Sequence, residues 1–407
     1  MKIIENYFFV LMILFLFSNC GTKDSDYIDP RGNTYAGSVS CMECHPKIYE
    51  EALTSSHYKA SAAASLKNVL GDFNAGHNVY AYDQDTKIVM ENRNNELFQV
   101  LYKKAKEIKA YRFDIVLGAK NAQTSLFWNK DNVFELPLSY YNSIHSWGTS
   151  PGYPPNLPLF DGAVAVDCFE CHSSHIKKEE TTADPDHLFG TEFIPETFKK
   201  ESLVYGIDCE RCHGPALDHV QFHQKNPKIK IPKYITTQQS LNHNQKLAQC
   251  IICHLSDEKL KSRFKFKPGK LISEFYNQSH PSSNFNQDVH GNQYGLLSQS
   301  ECFIKSKSMN CNTCHTTHND KQESLLSQSQ KCLTCHSEIN ANFCSYKSSD
   351  RKSFKENCID CHMPKKPSKA IGFFLSGKSE IVPYVLRTHK IGIYKEETHT
   401  KVTTPHQ

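Results

Sequence analysis

The chain has 407 residues, of which 39% are hydrophobic and 11% aromatic, and its formal net charge is +4. This length would ordinarily predict two or three domains, but a mean hydropathy of -0.54 is low for a chain with several large cores. The sequence has no Walker loop, no dinucleotide-binding glycine fingerprint and no nucleophile elbow. These absences argue against a P-loop nucleotide hydrolase, a dinucleotide-dependent enzyme and an α/β-hydrolase. We therefore expect the chain to bury apolar mass that is not its own side chains.

The N-terminus is typical of a lipoprotein signal peptide. Lys2 is followed by the apolar run YFFVLMILFLF at 7–17 and then by Cys20. The run is shorter than the roughly 20 residues that a membrane-spanning helix needs. We therefore prefer a signal peptide over residues 1–19, ending at a lipidated Cys20, to an uncleaved anchor. The polar residues 20–40 are then expected to form a flexible tether.

Seventeen cysteines would be unusual in a reducing compartment unless they bind a metal or a cofactor. Fourteen of them lie in seven Cys-x-x-Cys-His motifs, whereas composition alone would produce about 0.04 such motifs. We number the motifs 1 to 7 in chain order. Their cysteine pairs are Cys41 and Cys44, Cys168 and Cys171, Cys209 and Cys212, Cys250 and Cys253, Cys311 and Cys314, Cys332 and Cys335, and Cys358 and Cys361. Their histidines are His45, His172, His213, His254, His315, His336 and His362.

This spacing predicts covalent haem c. In c-type attachment the two cysteine sulfurs form thioethers with the haem vinyl groups, and the following histidine is the proximal iron ligand. A zinc site does not require histidine directly after every second cysteine, and a thioredoxin-like redox pair needs one motif rather than seven. We therefore predict seven covalent haems and rank a haem-free zinc or disulfide scaffold last.

The uneven spacing of the motifs suggests several segments. After a first haem segment at 41–76, residues 77–150 contain short alternating runs rich in Val, Ile, Phe and Tyr, typical of an antiparallel β insertion. The remaining expected segments are haems two to four at 151–260, haems five to seven at 261–365 and a C-terminal tail at 366–407. The predicted fold class is mainly α, with irregular loops around covalent haems and a small antiparallel β insertion.

Fourteen further histidines are available, which is enough to give every haem iron a sixth ligand. A histidine three residues after the proximal one, as in CHTTH at 314–318, cannot reach the opposite face of the same haem and would ligate a neighbour. The favoured distal ligands are His57, His219, His290, His318 and His389. The weaker candidates are His145, His175, His243 and His280, and His399 and His406 in the polar tail are expected to be solvated.

Cys302 and Cys344 remain outside the motifs once Cys20 is lipidated. In an oxidising compartment a disulfide between them is a reasonable hypothesis, with two buried free thiols as the alternative. Sequence alone does not establish the pairing.

Haem propionates would change the charge balance of the chain. Seven haems bring fourteen acidic groups, so we expect the holoprotein to be acidic despite the formal charge of +4. The basic stretch KLKSRFKFKPGK at 259–270 is then interpreted as propionate partners or a solvated face rather than as a nucleic-acid or membrane patch.

Seven stretches carry a resemblance to a known family. They are GSVSCMECHPKIYEEALTSSHYKAS, LPLSYYNSIHSWGTSPGYPP, VDCFECH, GIDCERCHGPALDHV, VHGNQYGLLSQSECFIKSKSMNCNTCHTTH, KCLTCH and NCIDCHMPKK, spread over most of residues 37–365. Together they resemble the periplasmic multihaem c-type cytochromes of the cytochrome c-554-like group. The resemblance implies electron transfer through closely spaced haems, with distal ligands at His57, His219, His290 and His318.

The sequence departs from that family at two places. Relatives often have Pro where this chain has Thr317, and they have a histidine in the segment that reads FCSYKSSDRKSFKEN here. The second departure implies that one haem either is five-coordinate or borrows a ligand such as His389.

These features predict a lipid-anchored heptahaem cytochrome that relays electrons in the periplasm or at the outer membrane. The expected partners are redox proteins such as other cytochromes or a terminal reductase, together with a membrane through the lipid on Cys20. No nucleic acid is expected. The alternative is a multihaem oxidoreductase acting on nitrogen or sulfur oxyanions or hydroxylamine, which needs one open haem with acid–base residues beside it. Because every motif keeps its histidine, the sequence singles out no such haem, and whether the protein is an enzyme stays open.

Overall fold

The computed structural model describes residues 28–179, 195–255, 262–275, 288–320, 324–337, 344 and 356–394. The structure has 26% helix and 27% strand, so the prediction of a mainly α fold is wrong. The physical reason is that the helices around the motifs are short, with twelve residues in the longest described one. Strands instead form four antiparallel sheets, two of which lie outside the predicted insertion.

Most of the α-helices carry or flank a motif. Their bounds are α1 Val39–Met42, α2 Pro46–Thr54, α3 Val166–His172, α4 Cys209–His213, α5 Leu217–Lys225, α6 His243–His254, α7 Gln293–Leu297, α8 Glu301–Lys305, α9 Leu325–Leu333 and α10 Ile359–His362. Short 3-10 turns lie at Gln238–Ser240, Arg263–Lys265, Ile272–Phe275 and Cys311–Thr313. Within the described ranges, each helix is too short or too polar to cross a membrane.

The strands pair in antiparallel fashion. Their bounds are β1 Ser61–Ala63, β2 Val79–Ala81, β3 Thr86–Arg93, β4 Glu96–Lys103, β5 Lys106–Arg112, β6 Ile115–Leu117, β7 Ala122–Asn129, β8 Asn132–Glu135, β9 Leu138–Tyr141, β10 Ser146–Thr149, β11 Ser173–Lys178, β12 Phe198–Tyr205, β13 Lys365–Phe374 and β14 Ile381–Arg387. The largest sheet has the order β1-β6-β7-β9-β10, with β8 paired to β7, and a second sheet has the order β2-β3-β4-β5. The pairs β11–β12 and β13–β14 form two further sheets.

The hairpin of β3 and β4 shows why this region forms strands. Ile88 and Met90, two residues apart in β3, are fully buried on one face, as the twofold repeat of a strand requires. Asn94 and Asn95 connect the strands with φ angles of 53° and 68°. Asparagine tolerates this left-handed conformation better than most residues, and two such residues in succession favour a tight hairpin.

The largest sheet positions two motifs. Ile115 and Leu126 of the sheet share a buried cluster with Phe169, which lies inside motif 2. Fully burying an apolar side chain of this size contributes about 1.5–3 kcal/mol, so motif 2 is held against the sheet. The ring of Phe373 in β13 stacks on Tyr141 in β9 at a centroid distance of 3.7 Å. Because β13 begins three residues after His362, this stacking also anchors motif 7.

Helix α6 contains motif 4 and packs against motif 5. The helix begins at a capping box, in which Asn242 and Gln245 each accept a hydrogen bond from the other's backbone N–H at 3.0 and 2.9 Å. Its buried face includes Leu247 and Ile251, which pack in one cluster with Cys311 of motif 5.

Several predicted features lie outside the described residues: the signal peptide at 1–19, the lipidated Cys20, and His280, His399 and His406. Cys302 and Cys344 are described, and both are free thiols. The structure therefore lacks the hypothesised disulfide. Cys302 lies instead in α8, where it is close enough to Cys335 of motif 6 for the two thiols to interact electrostatically.

Candidate haem-binding sites

Each motif contains a helical turn that brings its three side chains to one face. In motif 1 the backbone N–H of His45 donates to the carbonyl of Cys41 at 2.8 Å. The same bond occurs at 2.9 Å in motifs 5 and 6 and at 3.0 Å in motif 7. Residues i, i+3 and i+4 share one side of a helix. Both sulfurs and the imidazole of a motif therefore face the same way, as attachment of one haem requires.

The motifs touch one another through their cysteines. Four pairs of thiols lie close enough to change each other's pKa: Cys41 with Cys209, Cys171 with Cys253, Cys250 with Cys311, and Cys332 with Cys358. These contacts join motif 1 to 3, motif 2 to 4, motif 4 to 5, and motif 6 to 7. The neighbouring Cys41 thiol, opposed by burial, lowers the pKa of the Cys209 thiol to about 7.

Longer-range thiol contacts complete the connection. Cys212 of motif 3 lies near Cys250 of motif 4, and Cys314 of motif 5 lies near Cys332 of motif 6. The motifs consequently form the series 1–3–4–5–6–7, with motif 2 joined at motif 4. We call this arrangement the motif series.

Three pairs of imidazole rings lie at similar separations. Their centroid distances are 6.2 Å for His57 and His254, 6.0 Å for His213 and His318, and 6.1 Å for His315 and His389. A metal–imidazole bond is about 2.0 Å long and the nitrogen lies about 1.1 Å from the ring centre, so two rings on one metal have centres about 6.2 Å apart. The observed gaps fit one iron between the rings of each pair.

Two further candidate distal histidines lie near motifs 1 and 2. His219 lies near His45 of motif 1, and His290 lies near His172 of motif 2, since each pair interacts electrostatically. The five favoured distal histidines are thereby placed at five different motifs. His318, which follows motif 5, faces motif 3, and His57, which follows motif 1, faces motif 4. Their role as iron ligands stays a prediction.

Hydrogen bonds orient several of these rings. The Nδ1 atoms of His213, His219 and His362 lie 2.7, 2.8 and 2.8 Å from the backbone carbonyls of Thr236, Lys233 and Gly392. A carbonyl only accepts, so Nδ1 carries the proton and Nε2 keeps a lone pair for a metal.

Burial favours the neutral form of six rings. It is the main cause that lowers the pKa of His57, His172, His254, His290, His318 and His389, the last to about 4. A neutral imidazole is the form that binds a metal.

The weaker candidates occupy other surroundings. His145 is an exposed turn residue with a φ of 47°, and His243 begins helix α6. His175 packs on Phe264 at a ring distance of 5.5 Å and interacts with the charges of Arg31 and Asp29. Although His175 has the same spacing from its motif as His318, its neighbours in the described ranges are these side chains and Arg211 of motif 3 rather than a motif histidine.

Sequence reasoning missed His223. It follows His219 by four residues on α5, and the two ring centres are 4.7 Å apart. Its Nδ1 lies 3.1 Å from the carbonyl of Ile229, while its buried Nε2 has no hydrogen-bond partner within the described ranges. The signal in the sequence was an i, i+4 histidine pair, which places both rings on one helix face.

A buried ion cluster holds motif 3, and sequence reasoning missed this too. Arg31, only 6% exposed, forms ion pairs with Asp29, Asp208 and Glu210 at 2.8, 2.8 and 3.0 Å. Asp208 also caps α4 by accepting from the backbone N–H of Arg211 at 2.9 Å. Burial alone would raise the pKa of Asp29, but its bonds from Arg31 lower it overall. The segment that begins at Asp29, assigned to the tether by sequence, is thus packed against motif 3.

Comparison with known proteins gives a similarity of fold. No protein-family model matches the chain, and no curated protein matches it. A solved structure, the outer cell wall cytochrome OcwA, superposes with a TM-score of 0.52 over 90% of this chain and 82% of its own, at 14% sequence identity. The chain therefore shares the fold of a cytochrome.

Proposed function

We propose that the protein is a heptahaem c-type cytochrome that relays electrons between redox partner proteins. The observation that carries the proposal is the unbroken motif series, whose paired imidazole rings have the spacing that one iron requires. Bound haem supplies one-electron redox chemistry, with a potential that depends on its axial ligands and burial.

The chain's own residues explain why electron transfer is favoured over substrate chemistry. At motifs 3, 4 and 5 a second imidazole faces the motif histidine at 6.0 to 6.2 Å. If both imidazoles of such a pair held one haem iron, no position would remain on it for a substrate. The thiol contacts place successive attachment points side by side, so electrons need cross only short gaps along the series.

The proposed location is the cell envelope, in the periplasm or at the outer membrane. A signal peptide that ends at a lipidated Cys20 supports this location, and OcwA is a cytochrome of the outer cell wall. In this setting the partners would be other cytochromes or a terminal reductase, with the lipid as the membrane contact.

Two measurements test the proposal. Purified from a host with cytochrome maturation, the denatured protein should be about 4.3 kDa heavier than its processed polypeptide, because seven haems are attached covalently. An unchanged mass would refute haem attachment.

Electron paramagnetic resonance of the oxidised protein should show no high-spin signal that responds to nitrite, hydroxylamine or sulfite. A high-spin signal that shifts with one of these compounds would instead identify an open iron and favour the oxidoreductase.

A further inference from the structure

The segment that follows helix α5 packs against three histidines that lie at or near motifs 1 and 3. Its backbone carbonyls at Ile229, Lys233 and Thr236 hold the Nδ1 atoms of His223, His219 and His213 at 3.1, 2.8 and 2.7 Å. A molecule that binds the outside of this segment is therefore one layer of backbone away from three imidazoles. Motif 1 also stands at one end of the motif series.

This segment carries concentrated positive charge. Its exposed lysines are Lys225, Lys228, Lys230 and Lys233. From residue 219 to residue 256 the sequence contains no Asp or Glu. In the part of the chain that the structure describes, none of these four lysines forms an ion pair. We call these four residues the lysine surface.

Apolar side chains lie among the lysines. Ile229, Ile231 and Tyr234 are 40%, 70% and 64% exposed. Exposed aliphatic and aromatic groups inside a charged rim are the composition of protein interfaces. A purely solvated face would have no physical reason to expose them together.

We propose that the lysine surface is the docking site of an acidic redox protein that exchanges electrons at the motif 1 end of the series. This inference rests on the proposed electron-transfer function. Charge complementarity selects the partner, since four exposed cations attract a surface of opposite sign and speed its association. The hydrogen-bonded carbonyls place the lysine surface next to motif 1, so a redox protein docked there would be close enough to exchange electrons.

The test uses the holoprotein and an acidic one-electron donor, reduced flavodoxin. In the charge-reversed variant the lysine surface carries Lys225→Glu, Lys228→Glu, Lys230→Glu and Lys233→Glu, and a milder variant has Gln at the same positions. The matched control reverses four exposed lysines on the hairpin of β4 and β5: Lys103, Lys104, Lys106 and Lys109. Stopped-flow absorbance measures the second-order rate of haem reduction at 10 mM and 1 M salt.

We expect the charge-reversed variant to be reduced at least about tenfold more slowly than wild type at low salt, and the Gln variant to be intermediate. The reduction rate of the control variant should fall clearly less than that of the charge-reversed variant. At 1 M salt, where charges are screened within about 3 Å, the rates of the variants and wild type should become equal. Reduced lumiflavin, a small donor that needs no protein docking, should reduce all variants at nearly one rate. Equal losses in the charge-reversed and control variants would overturn the docking site.

Three other outcomes also overturn the proposal. Slower reduction by lumiflavin, or a changed low-spin spectrum, in the Gln variant would assign the lysines to the haem site itself. Loss of binding to vesicles with 30% phosphatidylglycerol, with an unchanged flavodoxin rate, would assign them to a lipid surface. If wild type carries haem but accepts no electrons from either donor, the electron-transfer function fails, and the docking site with it.

Discussion

Replacing His318 by alanine should open an iron site at motif 3, although His318 follows motif 5 in sequence. Its ring lies 6.0 Å from that of His213, and the two planes are within 8° of parallel. The separation expected for two imidazoles on one metal is about 6.2 Å. Removing one ring should therefore convert one haem from low to high spin, so the low-spin signal should fall by the share of one haem.

The matched control is His175→Ala. Both histidines stand three residues after a motif histidine, but His175 packs on Phe264 rather than facing another motif. Electron paramagnetic resonance at low temperature should show a new high-spin signal in His318→Ala and none in His175→Ala. High-spin signals in both variants, or in neither, would refute the geometric argument.

A double variant tests which motif His318 serves. His389 faces His315 of motif 5 at 6.1 Å, so His318→Ala and His389→Ala should open different irons. Their combination should produce twice the high-spin signal of either single variant. If both histidines served motif 5, the double variant would show only one open iron.

Three further predictions concern buried or clustered groups. Arg31→Met should destabilise the fold by about 3–5 kcal/mol because it leaves buried carboxylates without their positively charged partner. Arg112→Met, at an exposed ion pair, should cost at most about 1 kcal/mol. Equal shifts of the urea midpoint would contradict this. Burial raises the pKa of Glu135 from its ordinary 4.5 to about 8, so the stability that comes from its bound proton is present below pH 4.5 and lost as pH rises towards 8. Glu135→Gln should therefore raise the melting temperature at pH 9 and change it little at pH 4, and a difference independent of pH would count against the buried carboxyl. His219→Ala should leave motif 1 low-spin because His223 can replace it, while adding His223→Ala should make it high-spin; a high-spin signal in the single variant would exclude this exchange.

The parts of the site that depend on local geometry were accessible from the sequence. A Cys-x-x-Cys-His string places its side chains at i, i+3 and i+4, and one helical turn is enough to align them. The spacing in CHTTH also predicts that His318 serves a neighbouring motif rather than its own, since three residues cannot wrap around a haem. Which neighbour depends on the path of the whole chain, and the sequence could not show that His318 meets motif 3 or that His57 meets motif 4.

The fold class was harder to predict because β structure outside the insertion gives weak signals. Strands β13 and β14 contain Pro367 and Pro383, and proline normally argues against a strand. Both strands belong to a two-stranded sheet, where an edge position needs no proline N–H. The ion cluster around Arg31 was hidden for a different reason, since Arg31 and Asp208 are 177 residues apart and nothing local pairs them.

The pattern of contacts explains how so polar a chain can hold this fold. Its longest described helix has twelve residues, and isolated helices of that length are marginal in water. Each facing histidine pair joins segments that are remote in sequence, such as residue 57 with residue 254. A metal bond at such a pair closes a long loop of chain, and a ligand that binds only the folded state stabilises it by mass action. If these histidines bind haem iron, haem attachment would do more than supply redox centres, because the same side chains would hold the short helices together.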